Sequence, residues 1–78
     1  MHTKTYTVSC NWDSEAGVWY VAESDVPGLV TEAPTLEAME AKLMRMIPEL
    51  LELNEGLERP VAVPFELVAR KRELAHLT

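Results

Sequence analysis

Polar and apolar residues alternate without a break over Tyr6-Thr7-Val8-Ser9-Cys10-Asn11-Trp12, with Tyr6, Val8, Cys10 and Trp12 on one side and Thr7, Ser9 and Asn11 on the other. A period of two predicts a strand with one buried and one wet face. Asp13-Ser14-Glu15-Ala16-Gly17 reads as a turn, and Val18 to Glu23, β-branched and aromatic, as a second strand. The short loop between them predicts an antiparallel hairpin. In Ser24-Asp25-Val26-Pro27-Gly28, Pro27 and Gly28 suit the two central positions of a type II turn, the first by its fixed φ and the second by its tolerance of positive φ. Leu29 to Glu32 then reads as a short third strand, completing a meander.

The period changes after Pro34. Leu36, Met39, Leu43, Met46, Ile47 and Leu50 recur at spacings of three and four, the signature of an amphipathic helix. Thr35 suits its N-cap, Glu37 complements the dipole in the first turn, and Gly56 is the expected stop, so the helix is placed from Leu36 to about Asn54. Pro48 falls on its polar side and predicts a kink. The apolar arc spans roughly 180°, wider than covering one sheet requires. The surplus centres on Met44 and Leu51, which makes that flank a candidate second contact. Alternation resumes over Pro60 to Ala69, with Val61, Val63, Phe65, Leu67 and Ala69 on one face; Pro64 confines this strand to an edge or a bulge. The fold class expected is therefore α+β: a two-layer β-β-β-α-β domain over residues 1–70, with one Pro-kinked helix on one face of a small sheet. Residues 71–78 are expected to form a short C-terminal tail.

Length and charge refine the picture. At 78 residues the chain supports one marginal core, which favours a homodimer or higher homo-oligomer. The net charge of −6 is unevenly spread. Residues 1–58 hold three bases against eleven acids, whereas residues 59–78 hold four bases against two acids. The anionic body repels phosphate backbones and steers towards a basic protein. Arg70-Lys71-Arg72 is the one opposing run, and on so acidic a body it reads as a solvated tail.

Catalytic and metal chemistry find little support. The single cysteine, Cys10, lies on the inward face of the first strand and reads as a structural thiol. His2 and His76 stand at opposite ends of the chain, and the three glycines are too scattered for a phosphate loop. Asp13, Glu15 and Asp25 could serve a metal-dependent nuclease, but turns also favour Asp at 13 and 25, which is the simpler account. No catalytic residue, metal or cofactor is expected. No signal core or membrane-length apolar run is present, so a cytoplasmic location is expected, with no membrane partner. The second strand offers more: Val18, Tyr20 and Ala22 share one face and Trp19 and Val21 the other, so both faces carry apolar bulk; either Trp19 closes the rim of the core, or the open face, with Trp19 or Tyr20 beside Thr5, Thr7 and Ser9, is a recognition surface. Trp19, Tyr20, Met44 and Leu51 are thus the candidate residues for binding a partner or a second copy.

The run from Trp19 to Ala38 resembles the HicB-like antitoxins. Their pattern is a strand, then Asp-x-Pro-Gly, a short strand ending in Thr, and Thr-x-Glu-Ala opening a helix, matched here by Asp25, Pro27, Gly28, Thr31, Thr35, Glu37 and Ala38. The hairpin from Trp12 to Trp19 looks closer still to a short branch of that superfamily labelled only as a domain of unknown function. The resemblance covers about Tyr6 to Leu53. It implies a partial ribonuclease-H-like β-β-β-α-β unit, a similarity of fold that carries no hydrolytic activity with it. It also implies the function of neutralising a small basic RNA-cleaving toxin by direct binding. Many such antitoxins carry a C-terminal helix-turn-helix or ribbon-helix-helix; about nine residues after the last strand are too few for either, so DNA binding is not expected. The alternative is a solitary homo-oligomeric structural or regulatory module without a toxin.

Overall fold

The computed structural model describes residues 4–78. The elements, in chain order, are β1 (Tyr6–Asp13), β2 (Val18–Ser24), β3 (Glu32–Ala33), α1 (Leu36–Glu55) and β4 (Phe65–Arg70). They form an α+β fold in which one mixed sheet, ordered β3-β2-β1-β4, carries the helix on one face. The expected β-β-β-α-β order is the order observed.

β1 and β2 pair antiparallel through a turn that Asp13 organises: its Oδ1 accepts from the backbone N–H groups of Glu15 and Ala16, at 3.0 and 3.2 Å. Gly17 closes the turn at φ 69°, in the left-handed region glycine tolerates. The hairpin register shifts between Ser9 and Cys10, a bulge that leaves Ala22 without a partner on β1. At the far end, Leu29 N–H donates to the Val26 carbonyl at 3.3 Å across Pro27 and Gly28, with Gly28 at φ 75°. This is the type II turn its residues predict. Asp25 ties that turn to β1 by accepting from Thr7 N–H at 2.9 Å.

The third strand differs from expectation. It is Glu32–Ala33, later than Leu29–Glu32. Leu29 is buried, but it serves as a plug beneath the turn and not as a ladder residue. The pairing reaches back only to Thr31, whose carbonyl accepts from Val21 N–H at 3.2 Å.

Thr35 caps α1: its backbone is extended and its Oγ1 accepts from Ala38 N–H at 3.0 Å. The helix runs unbroken through Pro48 to Glu55 and stops at Gly56, which takes φ 67°. Both Gly56 and Leu57 donate their N–H groups to the Leu51 carbonyl. A twenty-residue helix is about 30 Å long, whereas a four-stranded sheet is about 14 Å wide. The helix can therefore cross behind the whole sheet, from the β3 edge to the β4 edge. Met39, Leu43, Ile47 and Leu51 face the sheet at intervals of four and are fully buried against Tyr6, Val8 and Cys10. Leu50, Leu57, Val63 and Phe65 pack round this cluster.

β4 begins later than its alternating pattern, at Phe65, because Pro64 has no N–H to give a ladder. The Pro64 carbonyl still accepts from Tyr6 N–H at 3.0 Å. As expected from Pro64, β4 is an edge strand; it lies parallel to β1 with Tyr6 opposite Phe65 and Asn11 opposite Arg70. Residues 71–78 follow without helix or strand, all exposed. Among the described residues no helix is long and apolar enough to cross a membrane.

Candidate functional site

The sheet face away from the helix is uncovered, and its residues follow from the registers. Thr7, Ser9 and Asn11 of β1 point there, since Tyr6, Val8 and Cys10 point into the core. Asn11 stands between Tyr20 of β2 and Arg70 of β4, and Tyr20 in turn stands beside Glu32 of β3. The row Glu32–Tyr20–Asn11–Arg70 thus crosses all four strands. Ser9 stands between Glu23 and Val68 in the next row, and Thr7 beside Glu66 in the one beyond. Tyr20 is the large aromatic of this face, 39% exposed. Beside it, Asn11, Trp12, Tyr20 and the segment from Arg70 to Glu73 line an open hollow of about 650 Å³. Lys71 Nζ closes one side of it, 4.8 Å from the centre of the Trp12 ring and 3.2 Å from Glu73 Oε1.

The four candidate residues do not form one surface. Tyr20 belongs to the open face. Trp19 points the other way: it pairs with Ala33, a buried residue, and packs against the core with its ring 5.4 Å from that of Trp12. It closes the rim of the core and is not on the open face. Met44 is 63% exposed, but on the outer flank of the helix, a layer away from Tyr20. Leu51 is the plain correction: it is fully buried and belongs to the core. It continues the Met39, Leu43, Ile47 series into the core, and Leu57 and Val63, from the segment returning from the helix, are half-buried against the same cluster. The turn and cap residues Asp25, Pro27, Gly28 and Thr35 stand where their roles require, and the Pro27 carbonyl also accepts from Asn54 Nδ2.

The titratable groups are placed structurally. Cys10 is buried inside the sheet–helix layer, and that burial pushes its thiol above the ordinary range, away from the thiolate a nucleophile needs. Tyr6 is buried as well; burial first, and then its hydroxyl donating to Glu55 Oε1 at 2.9 Å, raise its phenol above the usual 10.0. Asp13 and Asp25 sit at opposite ends of the β1–β2 pair, each accepting backbone N–H groups, so the carboxylates of the nuclease reading are not brought together. Among the described residues no group of three His, Cys, Asp or Glu side chains is placed to hold a metal ion. His2 lies outside the described residues.

Asn11, Arg70 and Glu32 enter the site only through strand pairing. Asn11 and Glu32 look like ordinary polar strand residues in the sequence and Arg70 like the start of a solvated tail, whereas Arg70 is the last residue of β4 and the cross-strand register puts all three in one row with Tyr20. Besides Tyr20 and Met44, the large apolar side chains exposed among the described residues are Val30, Leu53, Leu74 and Leu77.

Comparison with known proteins agrees with this architecture. A family model described as a domain of unknown function, DUF1902, matches residues 5–77. A crystal structure of a hypothetical protein from the extremely thermophilic bacterium Thermus thermophilus is similar with a TM-score of 0.63 and 45% sequence identity, over 95% of this chain and 100% of that one. No curated protein matches the chain.

Proposed function

The chain belongs to the DUF1902 family, and we propose that it acts as a HicB-like antitoxin-type domain, binding a small basic RNA-cleaving toxin directly and doing no chemistry of its own. The observation that carries this reading is the uncovered sheet face, with exposed Tyr20 set in a polar row on an acidic body. An aromatic ring flanked by Asn, Ser and Thr gives a partner both apolar area and hydrogen-bonding groups, the usual chemistry of an interface centre. Glu23, Glu32 and Glu66 on the same face supply local attraction for a basic partner, and the acidic body as a whole supplies the long-range field. The resemblance of Asp25-Val26-Pro27-Gly28 and Thr35-Leu36-Glu37-Ala38 to the antitoxin pattern supports the same reading. In this fold those motifs fix the β2–β3 turn and the start of the helix, so they serve to hold the face and not to touch the partner.

The test is capture from the native lysate by the tagged protein at low and high salt, with mass spectrometry of what is retained. The expected result is one small basic protein held near stoichiometrically at low salt, partly released at high salt, and weakened about 10- to 100-fold by Tyr20→Ala. Retention that Tyr20→Ala leaves unchanged, or recovery of no small basic protein, would overturn it.

A further inference from the structure

We propose that residues 71–78 are an exchange arm that docks on a second copy of this chain, with β4 of the two copies pairing edge to edge and Leu74 and Leu77 as the apolar anchors. The two edges of the sheet are built differently. The β3 edge is two residues long, the kind of blunt edge that resists pairing. The β4 edge is six residues long and among the described residues has no strand on its outer side. Such an edge offers a row of backbone donors and acceptors to another chain.

The arm continues directly from that edge. Leu74 is 80% and Leu77 103% exposed, so within one chain these two leucines touch almost nothing. Residues 71–78 nevertheless fall largely inside the region matched by the family model, which runs to residue 77. The arm therefore belongs to the family's domain, yet its apolar side chains have no cover from their own chain.

Charge identifies the occupant. Arg70, Lys71 and Arg72 stand at the root of the arm, in the one stretch of the chain with a positive balance, while residues 1–58 carry eight more acids than bases. A second copy is thus complementary to the arm. Direction adds to this. Antiparallel pairing of two β4 strands about a two-fold axis brings the Arg70 end of one beside the Phe65 end of the other. That end carries Glu66 next to Phe65, Glu55 held by the Tyr6 hydroxyl, and half-buried Val61 and Val63. Each basic arm then meets carboxylates and an apolar shoulder on its neighbour. The root of the arm also lines the hollow beside Tyr20, but the contact uses the outer edge of β4 and the leucines beyond it, so the inference does not rest on the toxin reading.

The test is the mass of the full-length protein by light scattering during size exclusion, over a dilution series, compared with the double variant Leu74→Glu, Leu77→Glu. Circular dichroism checks that the variant is folded, as its exposed positions require. The wild type is expected at twice the 8.8 kDa of one chain, and the variant at the single-chain mass, with association weakened by at least about 100-fold. Raising salt should promote dissociation of the wild type. A wild type that is monomeric throughout the series would overturn the proposal. So would a folded variant that keeps the wild-type mass.

Discussion

Replacing Leu51 by alanine tests how the helix is seated. Its side chain is fully buried, at the end of the series Met39, Leu43, Ile47, Leu51. Truncation removes three carbons from a packed site and leaves a cavity, which costs about 2–5 kcal/mol. For a 78-residue domain the whole stability is about 4–12 kcal/mol, so this one change takes a large share of it. At about 4–8 °C per kcal/mol for a domain of this size, a loss of about 3 kcal/mol lowers Tm by about 12–24 °C. The control is Leu53→Ala, two residues on, where the side chain is 80% exposed and the helix is otherwise the same. It should change stability by no more than about 0.5 kcal/mol. Thermal melts followed by circular dichroism, at one fixed protein concentration, give both numbers. Equal effects of the two substitutions would refute the placement of Leu51 in the core.

Thr35→Ala removes the acceptor for Ala38 N–H and should cost about 1 kcal/mol, seen as a fall in Tm of about 4–8 °C; an unchanged melt would show that the cap does not hold the helix start. Tyr6 gives a pH test. Because the folded state holds its phenol above the ordinary 10.0, the stability that neutral Tyr6 contributes is present below about pH 10 and is lost as pH rises through the higher folded value. In the Tyr20→Phe variant Tyr6 is the one tyrosine left, so phenolate absorbance should develop at higher pH in the folded protein than in denaturant. Coincident titrations would contradict the buried Tyr6–Glu55 contact.

Much of this fold can be read from residue patterns, and the gaps have particular causes. The alternation of Tyr6 to Trp12 gives β1 and its buried side because every second residue there is apolar and no turn former intervenes. Thr35 and Gly56 bound the helix to within a residue because capping chemistry is local. Leu51 is misplaced by a helical wheel, which gives the angle between side chains but not the extent of what covers them. Here the core cluster of sheet and helix residues extends as far as Leu51. Trp19 and Tyr20 cannot be assigned to faces from β2 alone, which is apolar on both sides. Pairing with Ala33 and Trp12 resolves them, and pairing is not a local property. The bulge at Ala22 has no residue signature of its own. β3 and β4 start later than their patterns because Leu29 is used as a core plug and because Pro64 cannot join a ladder. Of the site, Tyr20 is legible as a candidate but not as the residue of the open face, and Asn11, Arg70 and Glu32 require the register.

The most direct test of the proposed antitoxin role is a titration with this chain, wild type and Tyr20→Ala, of RNA cleavage by any small basic protein that the tagged chain retains from the lysate. Suppression of cleavage near one equivalent of wild type, with about 10- to 100-fold more Tyr20→Ala needed, is the predicted result. Cleavage that continues unchanged in excess wild-type protein would contradict the proposed antitoxin role of the open face.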